Sequence, residues 1–189
     1  MKNLAPPPSG RLLVKRDGHS ITKVIPKPVI IVDTREQMPY EFTGFKNWIG
    51  GTTRCALDFG DYSVVGMESL IRLERKSLTD LISTLMQNRE RFFQSCAGLA
   101  RFRYAAILVE ATYEDVKSYY DESLCTAAHP NAVSGSLDAL EARYGIPVIY
   151  ASQQRPLAEE KAASWLSKLF TYWYLETNSM GRVLQTGGL

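Results

Sequence analysis

Between residues 29 and 76 the apolar positions come in short runs or alternate with polar ones, whereas beyond residue 77 most recur every three or four residues. Val29–Asp33 (VIIVD) reads as a strand buried on both faces. Residues 34–51, with Pro39, Gly44, Gly50 and Gly51, read as loop. Strand-like segments follow at Thr52–Leu57, Asp61–Val65 and Leu70–Lys76. Ser77 can then cap a helix that carries Leu78, Leu81, Ile82, Leu85 and Met86 at helical spacing. A second helix is expected over Arg89–Leu99, a buried strand over Tyr104–Glu110 and a short helix over Tyr113–Tyr120. A helix from about Val133 to Tyr144 stops at Gly145, Ile146–Tyr150 forms the last strand, and a long helix runs from about Pro156 to Glu176. The sum is an α/β domain without internal repeats, an antiparallel β region first and β-α alternation after it.

Outside that pattern, residues 1–27 contain Pro6-Pro7-Pro8-Ser9-Gly10 and read as an irregular, flexible arm with one short strand at Arg11–Val14. Residues 28–176 form the domain, and 177–189 read as a frayed tail. The net charge of +2 is unevenly placed: residues 1–27 hold six bases against one acid, and the remainder holds 16 bases against 19 acids. Such an arm suits non-specific phosphate binding and equally suits a solvated leader.

Composition narrows the class. With 45% hydrophobic and 22% charged residues the chain is globular rather than disordered. No apolar run approaches the ~20 residues that span a bilayer, and none of signal-peptide length follows the early bases. A soluble intracellular protein, in cytoplasm, nucleoid or nucleus, is therefore expected. Cys55, Cys96 and Cys125 are odd in number and far apart, which suggests neither a disulfide framework nor a zinc site. His19 and His129 have no ligand partner nearby in sequence, so histidine-based catalysis is not expected.

The chemistry concentrates in Asp61–Lys76. A tight turn at Met67-Glu68 pairs Tyr62 with Leu73 and Val64 with Ile71 on an apolar face. On the other face Ser63 meets Arg72 and Asp61 lies opposite Glu74, with Lys76 emerging beside Glu74. Carboxylates directly opposite on paired strands have Cβ atoms roughly 5 Å apart and repel. A divalent cation between them relieves that repulsion, and Mg²⁺ or Mn²⁺ suits two carboxylates plus water and a phosphate oxygen. Lys76 beside it could position or deprotonate an attacking water, which completes a parts list for phosphodiester hydrolysis. The bland alternative is a solvated strand face. Asp33, ending VIIV at a strand's carboxyl end, adds an acid at a ligand-gathering edge, or else caps a loop by accepting backbone N–H bonds.

These residues resemble the nuclease domain of the XPF/Mus81 group, the ERCC4 nuclease domain. Val32-Asp33-Thr34-Arg35-Glu36, then Gly60-Asp61, then Glu74-Arg75-Lys76-Ser77-Leu78-Thr79-Asp80 match its V-D-x-R-E, G-D and E-R-K-x-x-x-D segments in order and spacing. The resemblance extends over about residues 28–176 and implies a restriction-endonuclease-like fold, a central mixed sheet flanked by helices. It implies that Asp61 and Glu74 are metal ligands, that Lys76 serves the water, and that Asp33 and Glu36 complete the acidic centre. Arg35 and Arg75 would contact phosphate or brace the site, and Asp80 would support it from the first helical turn. Arg89, Arg91 and Gln94 resemble the stretch that follows the signature and would track the DNA backbone, unless they are simply a solvated helix face.

The expected activity is a metal-dependent DNA endonuclease acting on flaps, forks or branches. Alternatives are a catalytically silent DNA-binding scaffold of the same fold, or a restriction-like or repair nuclease acting on ordinary duplex. The paired helix-hairpin-helix modules that follow the nuclease domain in many relatives are not among these 189 residues, so a partner is expected to supply substrate geometry. Trp165, Leu166, Leu169, Phe170, Trp173 and Tyr174 cover more than one face of the last helix, which suits either its own core or a two-fold homodimer.

Overall fold

The computed structural model describes residues 11–16, 19–120 and 128–177. Strands β1 (Arg11–Arg16) and β2 (His19–Val24) pair antiparallel as a separate two-stranded sheet, where the sequence suggested one short strand. The remaining strands are β3 (Val29–Asp33), β4 (Gly51–Cys55), β5 (Tyr62–Val64), β6 (Ile71–Ser77), β7 (Tyr104–Glu110) and β8 (Val148–Tyr150). They form one mixed sheet in the order β4-β3-β5-β6-β7-β8. The helices are α1 (Leu78–Gln87), α2 (Arg89–Leu99), α3 (Tyr113–Lys117), α4 (Pro130–Tyr144) and α5 (Arg155–Thr177). Cys125 and the tail from residue 178 onward lie outside the described residues.

Alternation along β7 explains the layering. Ala106 and Leu108 pack with Ile30, Val32, Tyr62, Leu73 and the α5 residues Ala162, Leu166 and Phe170. Ala105, Ile107 and Val109 pack with α1, α2 and α4 on the other face. A run such as AAILV, apolar at every position, is what a strand covered on both faces requires. Full burial of each large apolar side chain contributes roughly 1.5–3 kcal/mol, so both layers are held strongly. The aromatic residues of α5 serve this core: Leu166 and Phe170 are buried, and Trp165, Leu169, Trp173 and Tyr174 pack partly buried against it.

Three local expectations change. The strand after the 34–50 connection lies parallel to β3 at the sheet edge, not antiparallel. That connection is long enough for a crossover, and it buries Tyr40, Phe42 and Ile49 on the way. The link from β5 to β6 is two successive turns, Met67 N–H to Val64 O and Leu70 N–H to Met67 O, because the Met67 side chain is drawn wholly into the core. The Tyr62–Leu73 register survives this change. Finally, α4 begins at Pro130, whose fixed φ suits the first helical position, and the His129 side chain accepts from Asn131 N–H as the cap.

Candidate active site

In the mixed sheet, the carboxyl ends of β3, β6 and β7 and the amino end of the antiparallel β5 fall along one edge. Four of the sequence's acids gather there for that reason: Asp33 at the end of β3, Glu36 just after it, Asp61 before β5 and Glu74 in β6. Gly60 makes the approach with φ of 71°, where a Cβ would sit 3.3 Å from the Leu73 carbonyl oxygen. Gly98 of α2 makes room for Phe59, since a Cβ at 98 would lie 2.1 Å from that ring. Asp61 is then fixed by its own N–H to Leu73 O at 2.9 Å, by Asp33 N–H to its carbonyl at 2.8 Å, and by Arg75 N–H to Oδ2 at 2.7 Å.

Asp61 and Glu74 line a cleft of about 520 Å³ with Arg35, Glu36 and Asp58. Burial pushes the Asp61 carboxyl up to about 6, against the Arg75 hydrogen bond, and the nearby Glu36 adds to the rise. Burial, followed by the charge of Asp61, pushes Glu74 up to about 8. Both acids thus hold their protons to higher pH than a free carboxyl, chiefly because they are buried. Lys76 Nζ lies 3.8 Å from Glu74 Oε1 but donates at 2.7 Å to Asp80 Oδ2. Burial opposes its charge, yet the Asp80 hydrogen bond and the surrounding acids raise its pKa, so it stays a cation. Asp80 is where the sequence placed it, on the first turn of α1, with its N–H bonded to the Ser77 cap.

Side chains alternate along β6, so Arg75 projects to the α5 side while Glu74 and Lys76 project toward α1 and α2. Its side chain is 14% exposed, and the guanidinium holds Glu36 at 3.1 Å and Glu110 at 2.9 Å. Of the two roles left open for Arg75, bracing is the one its contacts match. Asp33 is similarly occupied. Oδ1 accepts from Arg35 N–H and Nε, and Oδ2 accepts from Arg35 Nη2 and Leu57 N–H. Four donors fill the four lone-pair positions of a carboxylate. Burial works against the charge, but these bonds hold Asp33 down at about 2.

A family model of the ERCC4 domain matches residues 32–163. The chain belongs to the ERCC4 domain family. No curated protein matches it by sequence. Two solved structures share the fold: "XPF from Aeropyrum pernix" at 20% identity and TM-score 0.57, and the same protein in complex with DNA at 23% identity and TM-score 0.56. The matches cover 74% and 77% of this chain but only 60% and 66% of those chains.

Within this ERCC4 domain, no group of three or more His, Cys, Asp or Glu is arranged to hold a metal among the described residues. The donor set for a cation is the pair Asp61 and Glu74, hard oxygens whose pKa burial raises, with the charge of Asp61 adding to the rise at Glu74. Two carboxylates are what Mg²⁺ or Mn²⁺ takes from a protein when water and phosphate fill the other positions. The pair therefore fits such an ion. No helix among the described residues is long and apolar enough to cross a membrane.

Arg91 lies in a groove with Glu74, Lys76 and Asn88, continuous with the surface carrying Arg89 and Gln94. All three are exposed on α2. Met86, placed on the apolar stripe by its spacing, is 44% exposed at the same α1–α2 junction. Sequence reasoning missed Glu110, Tyr40 and Arg155 as members of the site's surroundings. Glu110 carries the signal that singled out Asp33, an acid closing a buried strand, whereas Tyr40 and Arg155 carry none.

Proposed function

We propose that this ERCC4 domain is a Mg²⁺- or Mn²⁺-dependent DNA endonuclease that hydrolyses phosphodiester bonds in flap, fork or branched DNA, with a role in repair or recombination. The observation that carries it is the Asp61–Glu74 pair, two acids on one cleft whose carboxyls are both pushed up, chiefly by burial, beside a cationic lysine. One solved neighbour is described as a complex with DNA, which supports carrying that ligand over.

Asp61 and Glu74 would hold the ion, and a bound divalent cation supplies Lewis-acid charge and lowers the pKa of water. Lys76, kept charged by Asp80, orients the attacking water and offsets charge on the phosphate, which favours positioning over proton abstraction for it. Glu36 adds negative potential from the loop. Asp33 has no lone pair left for a cation, so its part is to fix Arg35 and the 57 backbone. Arg35, with a 69% exposed side chain, and Arg91 in its groove would meet phosphate, and Arg89 and Gln94 would extend that path. A homodimer over the outer face of α5, or a partner protein, would supply substrate geometry, and sedimentation with and without flap DNA would reveal it.

The deciding experiment is cleavage of a labelled flap and the matched linear duplex in Mg²⁺, Mn²⁺ and EDTA, for the wild type and Asp61→Ala. Metal-dependent cutting of the flap over the duplex, lost in the variant, is expected. Equal cutting of the linear duplex points to a restriction-like or repair enzyme. DNA binding without cutting in any metal overturns the nuclease reading in favour of a silent scaffold.

A further inference from the structure

Glu110 closes β7 on the sheet face opposite Glu74 and Lys76, alongside Arg75. Its side chain is 12% exposed and three groups converge on it. Tyr40 Oη donates to Oε1 at 2.6 Å, Arg75 Nη1 donates to Oε2 at 2.9 Å, and Arg155 Nη1 lies 3.9 Å from Oε1. The Tyr40 ring has both guanidiniums near it, Arg155 at 5.0 Å and Arg75 at 5.7 Å from the centroid. Glu110 lies between these two cations and offsets their mutual repulsion.

The network reaches the catalytic cleft. Glu36 accepts from Arg75 Nη2 at 3.1 Å and from Met38 N–H at 2.7 Å, and Arg155 donates to the Met38 and Pro39 carbonyls at 2.7 Å each. The backbone N–H of Arg75 donates to Asp61 Oδ2, and its neighbours along β6 are Glu74 and Lys76.

We infer that Glu110 is a positioning residue for the metal-binding pair: by anchoring the Arg75 side chain on the α5 side, it fixes the stretch of β6 whose Arg75 N–H holds Asp61 Oδ2 and whose flanking residues are Glu74 and Lys76. The inference rests on the reading of Asp61 and Glu74 as the cation site. With Glu110 removed, Arg75 retains one acid of two, and the backbone N–H that holds Asp61 loses its anchor on the α5 side. The spacing of Asp61 and Glu74 around the divalent ion then loosens. The β6–β7 ladder persists either way, so the defect falls on the site and not on the sheet.

The test is Mn²⁺ binding by calorimetry on the full chain without DNA, with kcat and KM for flap cleavage measured alongside. It compares the wild type with Glu110→Ala and Glu110→Gln. Glu110→Ala is expected to weaken Mn²⁺ about 10-fold or more and to lower kcat at fixed Mn²⁺ by a similar factor, with KM for DNA unchanged. Glu110→Gln keeps the size and an acceptor for Tyr40, folds where the alanine variant does not, and recovers part of the Mn²⁺ affinity. A folded Glu110→Gln or Glu110→Ala with a lowered Tm but wild-type Mn²⁺ affinity overturns the inference. Wild type that binds Mn²⁺ yet cuts nothing defeats the nuclease reading and leaves the calorimetric comparison standing. Wild type that binds no Mn²⁺ overturns both.

Discussion

On the α5 side of β6, the Arg75 guanidinium lies between Glu36 and Glu110, and each acid has a full-strength partner near 3 Å. On the α1–α2 side, one residue away in either direction, Glu74 stands near Asp61 with Lys76 at 3.8 Å, and Lys76 is already committed to Asp80. The first arrangement is neutralised within the chain. The second is short of positive charge. Asp33 sits in the same cleft as the second yet belongs with the first, since four donors saturate it. Burial and acidity are common to all these residues. What separates a structural acid from a candidate ligand here is whether the protein itself supplies the counter-charge.

The largest expected effect tests the undercharged side. Asp61→Ala is expected to lower metal-dependent cutting by about 10³-fold, the equivalent of several kcal/mol of lost transition-state stabilisation. Single-turnover cleavage measures it. Substantial residual cutting would mean that the cation is not held by this pair.

Next comes the saturated acid inside the cleft. Asp33→Ala leaves the Leu57 N–H and three Arg35 donors without their acceptor and is expected to cost about 3 kcal/mol of stability. The native carboxyl titrates at about 2, below its ordinary 3.8, so its contribution is present above pH 4 and is lost as pH falls toward 2. Urea unfolding at pH 7 and at pH 2.5 should therefore show a gap between variant and wild type that closes in acid. A loss of Mn²⁺ affinity matching that of Asp61→Ala would make Asp33 a ligand and break the comparison.

Glu74→Gln tests the same contrast with the opposite sign. Burial and Asp61 hold the native group at about 8 against an ordinary 4.5, so the folded state keeps a proton that the unfolded chain releases. The metal-free wild type is therefore expected to lose stability as pH rises from about 4.5 through 8, and Mg²⁺ to restore it. At pH 9 without metal, Glu74→Gln should be more stable than wild type by about 2 kcal/mol, although inactive. Thermal melts across pH in EDTA decide this, and a variant less stable than wild type at pH 9 would mean that Glu74 is already compensated.

Much of this was legible beforehand, for identifiable reasons. Strand and helix types followed from periodicity because each layer buries a full face, and Asp61 came to face Glu74 because the Tyr62–Leu73 register held. That register survived a wrong turn type, since the apolar pairing of Tyr62 and Leu73 fixes it independently of the link. The parallel β4 was illegible because residues 34–50 carry loop punctuation without a sign of crossover. The distinction between Asp33 and Asp61 was also illegible: both are acids flanking buried strands, and the saturating Arg35 reads equally as a phosphate ligand. Tyr40 and Arg155, 115 positions apart, meet only through the packing of α5 on the sheet.

The smallest expected effect concerns cations that the protein leaves unspent. Arg75 is locked between two carboxylates, but Arg91 is exposed in the groove that carries Glu74 and Lys76. If DNA approaches along that groove, Arg91→Ala should weaken binding less than about tenfold and reduce the slope of log K against log salt by about 1. Lys161→Ala is the control, an exposed base on α5 across the sheet, and should leave the slope unchanged. Fluorescence anisotropy with flap DNA between 50 and 200 mM salt, a range over which phosphate contacts are strongly read out, measures both. An unchanged slope in Arg91→Ala would separate the groove from the DNA path and confine the comparison to Asp61, Glu74 and Lys76. A changed slope in Lys161→Ala would place DNA on the neutralised side as well, where the charge pattern gives it no foothold.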